Sequence, residues 1–120
     1  MYSTFEAVVA LVLKWDYCFA MRIIALSTLK SVWENNPSHR EAKEPVLAWH
    51  RHVANADWAS PADVKADFGN ASILKDGRAV FNIAGNKYRL VVWVNFAYRV
   101  VYIRFIGTHA EYDKINAQTI

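Results

Sequence analysis

The residues best suited to chemistry gather in the last third of this 120-residue chain. Between Gly69 and Ala110 the basic residues are Lys75, Arg78, Lys87, Arg89, Arg99 and Arg104, and Asp76 is the only acid, a local charge of +5; the rest of the chain carries −2. The stretch closes on Gly107-Thr108-His109-Ala110-Glu111-Tyr112-Asp113. Clustered cations attract a polyanion, and an imidazole and a phenol beside them can move protons near neutral pH. The combination suits a phosphodiester, and RNA in particular. Cutting RNA without a metal requires three things: a deprotonated 2′-hydroxyl, cations to stabilise attack on phosphorus, and a proton for the departing 5′-oxygen.

Arginine forks meet phosphate oxygens through two parallel hydrogen bonds, so Arg89 and Arg104, set among apolar residues, are natural phosphate clamps. The alternative is that each pairs with a helix carboxylate such as Glu34, Glu41 or Glu44. Strand alternation puts Lys87, Arg89 and Trp93 on one face of 87–95, with Tyr88, Leu90, Val92 and Val94 on the other. In the strand 99–106 it groups Tyr102 and Arg104 with Val100 and Ile106. His109 falls just past that strand, where loops project from a rigid scaffold. Tyr112 is placed to stack on a base, to donate a proton, or to dock the end of the chain.

Other chemistries lack their residues. His50 and His52 are two apart in an expected helix and diverge, which is poor metal geometry. There is no HExxH, paired cysteine, Gly-rich phosphate loop or GxSxG elbow. Asp63 and Asp67 read as solvated surface. Cys18 is the only cysteine, which rules out an intrachain disulfide or a thiolate cluster and fits a reducing cytoplasm. A hydrophobic fraction of 54%, with five Trp, six Tyr and six Phe, excludes disorder, and the length suits one domain.

The elements that must hold these residues are legible in outline. Met21 to Leu26 reads as a strand. Ser27 then caps a short helix with apolar residues at Leu29, Val32 and Trp33, ending near Asn35-Asn36-Pro37. Ser38 and Glu41 have capping-box spacing, although Pro45 suggests that the regular helix starts later. Val46, Trp49, Val53 and Trp58 form its expected buried stripe. Ser60-Pro61 opens a third helical turn running to about Asp67. From Ala71 on, turns at Asp76-Gly77, Ala84-Gly85-Asn86 and Phe96-Ala97-Tyr98 divide four strands into an antiparallel meander. Its central strands are apolar on both faces, so helices should cover one face and a partner or ligand part of the other. The first strand is expected to protect an edge.

Residues 1–20 read as an extension upstream of the domain 21–120, as a misassigned start codon would produce. The competing reading is an added amphipathic helix. The apolar run Ala7–Leu13 is too short to span a bilayer and lacks the flanks of a secretory signal, so no membrane association is expected.

Three motifs carry a resemblance: Met21-Arg22-Ile23-Ile24, the run Phe81-Asn82-Ile83-Ala84-Gly85-Asn86-Lys87-Tyr88-Arg89-Leu90-Val91-Val92, and Tyr102-Ile103-Arg104-Phe105-Ile106-Gly107-Thr108-His109-Ala110-Glu111-Tyr112-Asp113-Lys114. With them the chain from Met21 to about Ile120 resembles HigB-type toxins of the RelE superfamily. The resemblance implies an α+β fold, with an N-terminal strand and two to three helices on an antiparallel sheet in the order β-α-α-β-β-β-β, ending in a loop or short helix. It also implies a ribosome-dependent mRNA interferase of a type II toxin–antitoxin pair. Such an enzyme cuts messenger RNA without a metal or cofactor and is held inactive by a HigA-type helix-turn-helix antitoxin. By motif position Arg89 matches the arginine at the scissile phosphate, His109 the proton-transfer residue and Tyr112 the aromatic after it, with Arg104 as a further stabiliser. Lys75, Arg78, Asn82, Lys87 and Trp93 are the expected RNA contacts. A non-catalytic module that blocks translation by binding RNA or the ribosome is the alternative.

Overall fold

The backbone reverses at Asp76-Gly77 with φ of 58° and 82°, and again at Ala84-Gly85-Asn86 with φ of 55°, 62° and 85°. Glycine enters this left-handed region freely and Asp or Asn more readily than most residues, which is why these short segments make hairpins. The computed structural model describes residues 21–120; both expectations for residues 1–20 lie outside the described residues. The elements are β1 (Arg22–Ile24), α1 (Leu26–Glu34), a 3-10 segment (Pro37–Ala42), α2 (Lys43–Ala54), α3 (Pro61–Asp67), β2 (Ser72–Ile73), β3 (Arg78–Ile83), β4 (Tyr88–Asn95), β5 (Val100–Thr108) and α4 (His109–Tyr112). A 3-10 turn, Lys75–Gly77, joins β2 to β3.

The strands form one sheet in the order β1-β5-β4-β3-β2. The meander β2 to β5 is antiparallel throughout, as expected. β1 covers the free edge of β5 but pairs with it in parallel, Ile23 opposite Val101, so the α+β sheet is mixed rather than wholly antiparallel. The helices between β1 and the meander supply the long connection that parallel pairing requires.

Helices cover one face of this sheet. The expected stripe Val46, Trp49 and Val53 is buried on α2, and Trp58 is buried beside it from the α2–α3 connection. They pack with Leu29 and Val64 against Phe81, Leu90 and Val92. Burying a large apolar side chain of this kind stabilises by about 1.5–3 kcal/mol, so this layer is the main source of the fold's stability.

Local details differ from expectation where a side chain found a better partner. Ser27 lies in the first turn of α1, whose cap is Ala25. Ser38 and Glu41 form no capping box; instead Asn36 Oδ1 accepts from the Ser38 amide at 3.1 Å. Pro45 sits in the first turn of α2, where its missing N–H has no helical acceptor to lose. Asp63 and Asp67 are more than solvated surface. Asp63 accepts from the Ala59 amide at 2.8 Å and Asp67 from Trp58 Nε1 at 2.9 Å. The Trp58 hydrogen bond, with a further one from His52, holds the Asp67 carboxyl below its ordinary range.

The second face carries Arg78, Val80 and Asn82 on β3 opposite Trp93, Val91 and Arg89 on β4. On β5 a bulge interrupts the alternation: Val91 faces Phe105 and Val92 faces Ile103, which leaves Arg104 as the extra residue. Val100 and Tyr102 share a face as expected. Ile106, opposite Leu90, packs against the helix-side core instead, and Arg104 drops out of the alternation. Residues 116–120 of the same chain, rather than a partner or ligand, lie against this face. Gln118 exchanges two hydrogen bonds with the Lys75 backbone, and the Ile120 main-chain oxygen accepts from Arg78 and Arg104.

Candidate active site

A reciprocal cap fixes the loop that ends the sheet. Thr108 Oγ1 accepts from the Glu111 amide at 3.2 Å while Glu111 Oε1 accepts from the Thr108 amide at 2.8 Å. This satisfies two backbone donors that a helix start leaves free, and so folds His109–Tyr112 into one turn. The Thr-x-x-Glu spacing signals this cap in the sequence. Gly107 makes room for it: a Cβ there would lie 2.6 Å from Glu111 Oε1 and 2.8 Å from Phe105 Cζ. The His109 amide also donates to the Lys87 carbonyl at 3.3 Å, docking α4 against the start of β4.

This arrangement brings Arg89, His109 and Tyr112 together. Arg89 Nη2 stands 2.9 Å from His109 Nε2, and its Cζ lies 5.2 Å from the centre of the Tyr112 ring. The ring, itself tilted against Phe105, provides a cation–π surface for the guanidinium. His109 Nδ1 lies 3.3 Å from Asp113 Oδ2. Asp113 was not singled out from the sequence, although it stands four residues after His109, the spacing that places two side chains on one helical face. A guanidinium only donates and a carboxylate only accepts. A neutral His109 between them therefore carries its proton on Nδ1, toward Asp113, and a lone pair on Nε2, toward Arg89. That is the form of a general base.

Arg89 is half-buried, and its enclosed Nε has no partner among the described residues. No side-chain carboxylate described lies within ion-pairing distance of Arg89 or Arg104. The helix acid Glu41 pairs instead with Lys87, Nζ to Oε1 2.8 Å. That hydrogen bond and charge hold the Glu41 carboxyl below its usual range and raise the Lys87 ammonium above its own. Arg99 is likewise paired, with Asp57. The clustered charge read from the sequence is thus partly neutralised, and Arg89 is left as the free cation of the His109 site.

The remaining expected residues divide by position. Asn82 stands opposite Arg89 in the β3–β4 register. Trp93 lies four residues along β4 from Arg89, about 13 Å at strand rise, with Arg78 opposite and Lys75 in the adjoining turn. Trp93 Nε1 donates to the Asp76 carbonyl at 2.7 Å, and its ring stacks on Tyr102. Arg104 is not part of the His109 group; its Nε lies 3.3 Å from the Ile120 oxygen. Among the described residues no group of three or more His, Cys, Asp or Glu is arranged to hold a metal ion. No described helix is long and apolar enough to cross a membrane.

Known proteins are similar to this sequence. The family model described as HigB toxin, RelE-like toxic component of a toxin-antitoxin system, matches residues 42–115. The mRNA interferase toxin HigB of Escherichia coli strain K12 is 34% identical over 99 residues, which cover 81% of this chain and 92% of that protein. The mRNA interferase HigB of Shigella flexneri matches with the same figures. The mRNA interferase HigB of E. coli O6:H1 is 28% identical over 81 residues, 63% of this chain and 79% of that protein. With the family model spanning more than half the chain and a relative matching over most of both lengths, the chain belongs to the HigB family of RelE-like toxins, the toxic components of toxin–antitoxin systems.

Proposed function

We propose that this chain is a ribosome-dependent endoribonuclease that stops translation by cutting messenger RNA, with the RNA's own 2′-hydroxyl as nucleophile. The observation that carries the proposal is His109 held between Asp113 and Arg89, with its Nε2 lone pair 2.9 Å from the guanidinium. When a scissile phosphate takes the donors of Arg89, Nε2 is released to remove the 2′-hydroxyl proton. The 2′-oxygen attacks phosphorus, the bond to the 5′-oxygen breaks, and that oxygen takes a proton from water. Arg89 stabilises the charge that builds on the phosphorane, while Asp113 stabilises the imidazolium. Tyr112 keeps the guanidinium in plane and offers its ring to a neighbouring base. These residues supply both proton transfer and charge stabilisation, which is the basis for a mechanism without metal or cofactor.

The same reading places the protein in the cytoplasm, where its substrate is translated, and under a HigA-type helix-turn-helix antitoxin. The toxin family and the RNA chemistry support both. The test is inducible expression in a bacterial host, with and without His109→Ala, mapping messenger 5′ ends against reading frame. New ends in register with codons that vanish in the variant would support the nuclease. Growth arrest with intact messengers would replace it with a non-catalytic block of the ribosome.

A further inference from the structure

Two arginines that the His109 group leaves out converge on one atom. Arg78 Nη1 and Arg104 Nε both donate to the main-chain oxygen of Ile120. Neither pairs with a side-chain carboxylate among the described residues. Two guanidinium groups repel each other, so gathering them around a single acceptor is most favourable when the acceptor carries negative charge.

An aromatic pair lies beside them. Arg78 stands opposite Trp93 in the β3–β4 register and Trp93 opposite Tyr102 in the β4–β5 register. The two rings stack at 5.2 Å and 29°, and both side chains remain partly exposed. Arg104 is the bulged residue two positions past Tyr102, and the bulge frees its side chain from the regular alternation. Cations that track a backbone, joined to rings on which bases stack, are how proteins hold single-stranded nucleic acid.

We propose that Arg78 and Arg104 form a second phosphate-binding subsite for single-stranded RNA, with Trp93 and Tyr102 as its stacking platform. In the free protein the Ile120 oxygen occupies this subsite, so the segment Asn116–Ile120 is a strap that the RNA displaces. Its role in catalysis rests on the RNA-cleaving reading of Arg89 and His109. Arg89 and Trp93 share a face of β4 about 13 Å apart, so one strand laid along β4 passes the cutting group and then this subsite. Gln118 ties the strap down through its paired hydrogen bonds to the Lys75 backbone at 3.1 and 3.0 Å.

The experiment uses the full chain and an oligoribonucleotide made uncleavable by 2′-O-methyl groups, with affinity measured across salt concentration. R78A/R104A is expected to bind about tenfold more weakly. Its plot of log affinity against log salt should be shallower by about 0.7, the slope carried by one phosphate of a single strand. Gln118→Ala removes no cation and loosens the strap, so it should bind about fivefold more tightly. Circular dichroism of each variant checks the fold, and Gln118→Ala keeps the test decisive if the double variant does not fold. A folded double variant with unchanged affinity and slope, or Gln118→Ala binding no more tightly than the parent, would overturn the proposal. Titration with inorganic phosphate, read from arginine side-chain N–H resonances, separates it from the nuclease reading. Movement of the Arg104 signal, at lower phosphate in Gln118→Ala, supports the subsite even where cleavage fails; movement of Arg89 alone removes it.

Discussion

His109 and Asp113 face one another across a single turn, Nδ1 to Oδ2 3.3 Å, so a neutral imidazole here keeps its proton on Nδ1. Asp113→Asn tests it because the amide can present its N–H to Nδ1 and favour the wrong tautomer. Cleavage should fall by about 10²-fold through kcat, with KM little changed and the melting temperature preserved. A variant that cuts normally would remove Asp113 from the site.

In the proposed mechanism Arg89 contributes geometry as well as charge. Lysine keeps the charge but loses the planar fork that reaches His109 and lies over Tyr112. Arg89→Lys and Arg89→Ala should therefore fail alike, each slower by about 10²–10³-fold, in single-turnover assays on programmed ribosomes. Substantial rescue by lysine would mean that Arg89 acts only as a point charge.

Gly107→Ala probes the support of the site. The added methyl meets Glu111 Oε1 and the Phe105 ring, so the cap on α4 must open or the ring must move. Both neighbours are side-chain ends, so the expected stability loss is modest, about 1–2 kcal/mol by chemical denaturation. Activity should fall much further, because His109 starts the displaced turn. Loss of activity only in proportion to loss of folded protein would contradict this.

Asp67 gives the fold a dependence on acid. Its carboxyl is held below the ordinary range by Trp58 and His52, so it contributes stability in full above its unfolded pKa and loses that contribution as pH falls through the lower folded value. The carboxylate is still 37% exposed, so solvent screening keeps the effect near about 1 kcal/mol. Asp67→Asn should be less stable than the parent by about that amount at neutral pH. The gap should close below about pH 4. A constant gap in denaturation curves between pH 7 and pH 3 would contradict it.

The sequence made the meander visible because its turns are written in residues that accept positive φ, Asp76-Gly77 and Gly85-Asn86. It made the α2 stripe visible because Val46, Trp49 and Val53 keep helical spacing. Arg89, His109 and Tyr112 were readable as candidates because of their types and motif positions. The site's finer construction was less legible. The bulge at Arg104 depends on how β5 pairs with β4, which no local pattern specifies. The pairing of Lys87 with Glu41 joins residues 46 apart in the chain. Asp113 and the Thr108–Glu111 cap have local signals, i to i+4 and Thr-x-x-Glu, within a segment expected as a loop or short helix.

The central claim is that His109 activates the RNA's own 2′-hydroxyl beside Arg89. The most direct measurement is to present the purified chain with ribosomes programmed by a messenger carrying a single 2′-deoxynucleotide at the cut position. The all-ribose messenger serves as control, and the termini of its products are analysed chemically. Cleavage of the control to a 2′,3′-cyclic phosphate and a 5′-hydroxyl, lost in the deoxy messenger and in His109→Ala, is the expected result. Continued cutting of the deoxy messenger, leaving a 3′-hydroxyl and a 5′-phosphate, would contradict it, since water rather than the 2′-oxygen would then be the nucleophile.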